Sequence, residues 1–217
     1  MSDDIKNIII LGNSGSAREC YMNLKAVMKV QENIKFKGFL SFEGYEGDLG
    51  KLSHYFLGVD DDYNYQENDY VIIGLGNPIL RKKAFYKLKE KNVKLYNLIH
   101  PKAHIDETCE VGEGNVITPD CYFSCDVKIG NGNYFNGFTN SGHDVKIGDF
   151  NFIGPHVHFL GDAFVGDLNS IGTMSVLLPN SKIGNGNKIA PLSAIYKGCK
   201  NNCYLQGNPA IKIGINE

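Results

Sequence analysis

At Ser141-Gly142-His143-Asp144-Val145-Lys146 an imidazole stands beside a carboxylate. Imidazole titrates near neutral pH and can take the proton from an attacking nucleophile. A neighbouring carboxylate can orient the ring and raise its basicity, as the acid of a catalytic triad does. His143 is the candidate general base and Asp144 its partner; a polar corner residue without chemistry is the plain alternative. A zinc enzyme needs converging ligands, and His143, His156 and His158 are the nearest set. Their gaps of thirteen and two residues do not put them on equivalent positions of the repeat that carries them, so no metal is expected. The six cysteines form no C-x-x-C pair, and Cys121–Cys125 and Cys199–Cys203 are poorly spaced for zinc.

The element that must hold His143 is a repeat of six. Sixteen consecutive hexads run from Ile105 to Lys200, and their first residue is apolar in every case but Ser141. Gly follows that residue at 112, 130, 142, 148, 154, 166, 172 and 184, and a small or slim residue stands four places after it. This period fits a β-solenoid, with one short strand and one corner per hexad. The apolar residue points into a narrow prism, the small residue shares the interior near a corner, and Gly or Asn gives the freedom to turn. Cys109, Cys121 and Cys199 fall on the small inward position and read as core filler. Three hexads complete a coil, so residues eighteen apart stack at the ~4.8 Å spacing of paired strands. Gly161 therefore lies one coil beyond His143, where a missing side chain admits a ligand and the N–H can serve as an oxyanion donor. The hexad that breaks the apolar pattern also carries the His–Asp pair, which is where a functional site is expected.

The first hundred residues lack the hexad, so two domains are expected, 1–100 and 101–217. Lys6–Leu11 suits a buried parallel strand. The turn Gly12-Asn13-Ser14-Gly15-Ser16 and a helix over about 17–29 follow it. Strand, glycine turn and helix offer backbone N–H groups and a positive dipole end to a phosphate. Gly12 and Gly15 match G-x-G-x-x-G incompletely, so a plain turn and a dinucleotide site remain open beside the favoured reading, a cradle for another nucleotide's phosphate or sugar. Strands are expected at 35–39, 69–75 and 94–99, a helix at 79–91, and mostly loop over 44–65. The result is a small open α/β domain whose ligand belongs at the carboxyl ends of its strands.

Net charge of −2 gives no reason to expect nucleic acid or an anionic membrane as partner. The acidic start and the short apolar run 8–11 suit neither a signal peptide nor a spanning helix, and unpaired cysteines suit a reducing cytoplasm.

The I-G-x-G-N-x units resemble hexapeptide-repeat acyltransferases, whose parallel β-helix is left-handed. GNSGSARE, GLGNPILRKK, LIHPKA, GHDVKIGDF and the closing GNPA, in that order along the chain, together resemble the nucleotide-sugar acetyltransferases related to bacillosamine N-acetyltransferase and sialic-acid O-acetyltransferase. The resemblance implies a small Rossmann-like domain that binds the nucleotide of a sugar through Ser14, Gly15, Ser16 and Gly76. It implies acetyl-CoA as co-substrate, no metal, His143 as base, Asp144 as its partner, and a homotrimer with sites between neighbouring prisms. Gly161, and farther along the groove Thr173 and Pro191, become coenzyme contacts; Asn136 becomes a support for sugar or base, with a core-corner asparagine as the equal alternative.

Two departures stand out. Relatives carry an Asp pair after the second strand, where this chain has Ser41-Phe42, leaving the base open. Many carry a second His nine residues after the base, where this chain has Phe152; His156 or His158 is the expected replacement. N-acetylation of a nucleotide-linked amino-deoxy sugar, for a surface glycan or glycoprotein, is favoured over O-acetylation because the sugar-nucleotide domain looks intact. A zinc prism enzyme of the γ-type carbonic anhydrase kind and a non-catalytic sugar-nucleotide-binding scaffold are the readings of other classes.

Overall fold

The computed structural model describes residues 5–43 and 47–216. The chain divides into two compact units, residues 1–101 with 113–116, and residues 102–112 with 117–217.

In the first unit five strands form one parallel sheet: β1 (Lys6–Leu11), β2 (Ile34–Ser41), β3 (Phe56–Val59), β4 (Asp69–Ile73) and β5 (Lys94–Leu95). Their spatial order is β3-β2-β1-β4-β5. Ile8, Ile9, Ile10 and Leu11 are all fully buried, which explains a continuous apolar run where a half-exposed strand would alternate. Helix α1 (Gly15–Met28) buries Ala17, Cys20, Leu24 and Val27, a stripe at helical spacing. Helix α2 (Pro78–Glu90) is capped by Asn77, whose side chain accepts from Ile79 N and Leu80 N at 2.9 and 3.1 Å. Its buried face includes Arg81, which is 0% exposed and donates to the Ile73, Leu75 and Gly114 carbonyls at 2.6, 2.9 and 3.3 Å.

Two elements depart from the sequence expectation. The 44–65 stretch, expected to be mostly loop, contains a short 3-10 helix (Gly50–Tyr55) and β3; residues 44–46 lie outside the described residues. The single strand expected over 94–99 is two, β5 and Leu98–Ile99.

The second unit is a parallel β-helix of two-residue strands. Its first face stacks His104–Ile105, Tyr122–Phe123, Asn140–Ser141, His158–Phe159, Val176–Leu177 and Ala194–Ile195. The second stacks Glu110–Val111 through Lys128–Ile129, Lys146–Ile147, Phe164–Val165 and Lys182–Ile183 to Gly198–Cys199. The third runs through Tyr134–Phe135, Phe152–Ile153, Ser170–Ile171 and Lys188–Ile189 to the antiparallel hairpin Cys203–Gly207/Ala210–Ile215. Partners are eighteen residues apart, as in Tyr122↔Asn140 and Phe164↔Lys182. Asn133, Asn151, Asn169 and Asn187, all 0% exposed, form an internal ladder in which each Nδ2 donates to the preceding Oδ1 at 3.0 Å.

The corners turn differently from the expectation. Every sixth residue from Gly114 to Leu192 has a left-handed φ, and only three of these fourteen are glycine. The glycines that follow the inward residue do another job: a Cβ on Gly112 would come 2.7 Å from Gly130 O, and one on Gly154 would come 2.8 Å from Thr173 N. They let successive coils approach. The period also ends early, because Ile183 pairs with Cys199, sixteen residues on. Cys199 thus ends the apolar column and does not fill the small inward place expected for it, while Cys203, whose N–H donates to Asn187 Oδ1 at 2.7 Å, ends the asparagine column.

Candidate active site

His143 leaves the strand Asn140–Ser141 at the corner between the first and second faces. Ser141, the one polar residue of the inward series, is 0% exposed and donates to the Gly142 carbonyl at 3.1 Å. Asp144 adopts a left-handed φ of 58° and its N–H donates to Cys125 O at 3.1 Å. That backbone bend turns its carboxylate towards the preceding ring, where Oδ2 lies 2.8 Å from His143 Nδ1. The bond fixes Nδ1 as the donor and leaves Nε2 with a free lone pair. Both side chains are more than half exposed, at 58% and 55%.

Gly161 lies directly beyond this ring. A Cβ there would sit 2.7 Å from His143 Nε2 and 2.8 Å from Cε1, so only glycine leaves the imidazole its place. Gly142 is also tightly placed, since its Cβ would approach Gly161 N to 3.0 Å. The Gly161 carbonyl accepts from Asn180 N at 3.1 Å, whereas its N–H has no hydrogen-bond partner among the described residues. A basic nitrogen and an unused N–H thus stand side by side. A groove of about 450 Å³ borders the pair, lined by Asp144, Lys146, Asp162, Phe164, Asn180 and Lys182.

The remaining expected residues of this unit lie elsewhere. Asn136, Thr173 and Pro191 occupy the corner between the third and first faces, so one chain does not place Thr173 and Pro191 farther along the groove of His143. Thirty residues separate 143 from 173, which is not a multiple of eighteen. Asn136 Nδ2 donates to the Ile153 carbonyl at 2.8 Å. His156 shares that corner and stacks flat on Phe138 at 4.7 Å, and His158 faces outward from the first face. Phe152 packs against Tyr134 at 5.5 Å on the third face. Phe138, Met174 and Leu192, at 52%, 55% and 68% exposure, run up the same corner as Thr173 and Pro191.

In the first unit, Ser14–Ser16 follow β1 and Gly76 follows β4. These adjacent strands are where the chain's winding reverses direction, the position at which open α/β sheets bind ligands. Gly12 has φ 135° and its Cβ would meet Gly74 O at 2.9 Å, so glycine is required there. Ser14 occupies the N-cap of α1 without a side-chain cap bond, and the first turn holds no acidic residue. The dipole end is left open. Arg18 was missed in the sequence although it closes the GNSGSAR segment. Its guanidinium lies 3.9 and 3.5 Å from where Cβ atoms on Gly15 and Gly50 would be, and it has no ion pair among the described residues. Ser41 is 9% exposed at the end of β2, and its carbonyl accepts from Asp60 N at 3.0 Å. After β3, Asp60, 1% exposed, and Asp61 hold Lys87 at 2.8 and 2.6 Å.

Among the described residues, no group of three or more His, Cys, Asp or Glu side chains could hold a metal ion. Among the same residues, no helix is long and apolar enough to cross a membrane.

No family model matches the chain and no curated protein matches it in sequence. Solved structures do. A mutant of perosamine N-acetyltransferase from Caulobacter crescentus, in complex with CoA and GDP-perosamine, superimposes with a TM-score of 0.87 at 21% identity, over 97% of this chain and 98% of that one. The acetyltransferase domain of PglB from Neisseria gonorrhoeae gives 0.85 at 18% identity, over 96% and 100%. WeeI from Acinetobacter baumannii gives 0.82 at 21%, over 96% and 100%. The chain shares the fold of these proteins.

Proposed function

We propose that the chain is an acetyl-CoA-dependent N-acetyltransferase that acts on the amino group of a nucleotide-linked amino-deoxy sugar. The observation that carries this reading is the pairing at Gly161: His143 Nε2, kept free by the Nδ1–Asp144 bond, beside a backbone N–H with no partner among the described residues. In this reading the β-helix is left-handed and the first unit is a Rossmann-like sugar-nucleotide domain, with boundaries near 100. Likeness to a structure with CoA and GDP-perosamine bound supports both substrate classes.

The coenzyme supplies an acyl group activated as a thioester. His143 Nε2 accepts the proton that the sugar amine loses as nitrogen bonds to the thioester carbon. Asp144 holds the ring and stabilises the imidazolium that results. The Gly161 N–H donates to the carbonyl oxygen as negative charge gathers there. The C–S bond breaks, and His143 returns its proton to the departing sulfur, so the base ends as it began. Ser14, Gly15, Ser16 and Gly76 cradle the nucleotide, with Arg18 on its phosphates; Ser41 lines the end of β2.

Thr173 and Pro191 hold the coenzyme from the corner of a neighbouring copy, Asn136 supports that side, and the assembly is a homotrimer. Two observations support a shared site: the His143–Asp144 pair is more than half exposed in one chain, and an exposed apolar column flanks Thr173 and Pro191.

The test is coenzyme A thiol release with acetyl-CoA and UDP-, dTDP- and GDP-linked 4-amino sugars. Release with an amino sugar and none with its hydroxyl counterpart is expected. Silence on every amino sugar, with a hydroxyl sugar such as sialic acid accepted, would overturn N-acetylation.

A further inference from the structure

Next to the turn after β1, a cavity of about 190 Å³ is lined by Asn13, Gly47, Asp48, Leu49, Ser53 and Phe56. Apart from the Asn13 NH2 group, its hydrogen-bonding side chains offer acceptors. Asn13 is only 9% exposed, and its Oδ1 has no hydrogen-bond partner among the described residues. A buried acceptor in this condition is destabilising unless a ligand brings a donor. Asp48 Oδ1 accepts from the Gly50 N–H at 2.7 Å, which steadies the carboxylate and leaves Oδ2 and the second lone pair of Oδ1 for other donors. Ser53 Oγ already donates to Gly50 O at 2.6 Å and keeps only acceptor capacity. Leu49, 5% exposed, gives an apolar wall, and Phe56, 45% exposed, a ring surface.

We infer that this cavity takes the base of the nucleotide sugar and selects guanine. Guanine carries two neighbouring donors, N1–H and the 2-amino group, and a carboxylate can accept from both at once. Asp48 accepts from that edge, Asn13 Oδ1 takes the remaining amino hydrogen, and Phe56 covers the ring. Uracil and thymine carry one N–H between two carbonyl oxygens, which would face acceptors here. Adenine and cytosine place a ring acceptor next to their single amino group. A site whose polar groups are left unpaired by the wrong base discriminates strongly. The cavity also joins the phosphate end, since Asn13 adjoins Ser14 in sequence and Arg18 lies beside Gly50. The inference rests on the nucleotide-sugar reading and adds the identity of the base.

Calorimetric titration of the full chain with GDP, IDP, UDP and dTDP tests it without any acyl transfer. IDP lacks only the 2-amino group. GDP is expected to bind roughly tenfold to a hundredfold tighter than IDP, and tighter still than UDP and dTDP. Asp48→Asn keeps an oxygen for Gly50 N–H, and should cost GDP at least about tenfold while leaving UDP within about threefold. IDP binding as tightly as GDP, or UDP or dTDP binding as tightly or more so, overturns the guanine assignment and leaves the nucleotide-sugar reading standing. No binding by any of the four overturns both.

Discussion

Replacing Gly161 by Ala puts the smallest side chain where the structure has none. The added Cβ would lie 2.7 Å from His143 Nε2 and 2.8 Å from Cε1. Ordinary van der Waals contact begins near 3.4 Å, so the ring must retreat by about 0.7 Å or swing off the 2.8 Å bond to Asp144. Misplacement of a catalytic group by about 1 Å can cost 10²-fold, so turnover should fall roughly 30- to 100-fold. Stability should hold, because the His143 side chain is 58% exposed and can yield without disturbing the core, and because Gly161 φ is not left-handed. The assay pairs thiol release with thermal unfolding, and adds Gly161→Ala in a His143→Ala background. If glycine acts by making room for the imidazole, the second substitution adds little to the first. The reasoning fails if Gly161→Ala keeps turnover within threefold of the parent. It fails equally if the two losses multiply.

Asp144→Asn should lower turnover roughly ten- to a hundredfold at unchanged KM, since the amide can no longer hold Nδ1 as the donor or stabilise the imidazolium; equal kinetics would remove Asp144 from the mechanism. Asn169→Ala deletes the donor to Asn151 Oδ1 and the acceptor of Asn187 N and Nδ2 inside the prism, at a cost of about 3 kcal/mol in denaturant unfolding. Burial opposes the charge of Lys87, but hydrogen bonds to Asp60 and Asp61 outweigh it and raise its pKa above the ordinary 10.5. The stabilisation from this raised pKa is fully present below pH 10.5 and lost as pH climbs through the higher folded value, so unfolding at alkaline pH should show a slope that Lys87→Met removes. Coexpressing His143→Ala with Thr173→Arg, each inactive alone, should restore about a quarter of the activity if each site draws on two copies, and none if it draws on one.

The β-helix was legible because each hexad repeats one demand, an apolar side chain in a narrow interior, and only Ser141 evades it. Its corners were not. Phe138, Phe150 and Leu168 take left-handed φ values that such residues avoid in isolation, so stacking on the neighbouring coils, and not residue preference, sets the turn. β3 was hidden for a different reason. Phe56, Leu57 and Val59 are all exposed, so the strand lacks the alternation that marks a half-buried one. Arg81 in α2 reads as a solvated cation, and only the tertiary fold shows that three carbonyls surround its guanidinium. The His143–Asp144–Gly161 group was legible because it needs only adjacency and a spacing of eighteen. The orphaned oxygen of Asn13 and the position of Arg18 depend on loops distant in sequence, and no pattern announces them.

That same spacing bears on how many copies a site requires. In a triangular solenoid, residues eighteen apart share a corner, and residues at other multiples of six sit on different corners, separated by a strand of the intervening face. His143 and Gly161 meet because they obey the first rule; Thr173 and Pro191 obey it with each other and break it with His143. The two corners bound opposite edges of the first face, whose outward residues include Asn140 and His158. No side-chain rearrangement within one rigid prism carries Thr173 round that face, because every strand is tied to the coils on both sides. A coenzyme that touches both corners has either to cross the first face or to lie between two prisms. The apolar exposure of Phe138, Met174 and Leu192 is concentrated on the corner that such packing would cover, while the His143 corner carries Asp126, Asp144 and Asp162. An acidic, wet corner suits a base that must exchange protons, and an apolar one suits a contact between subunits.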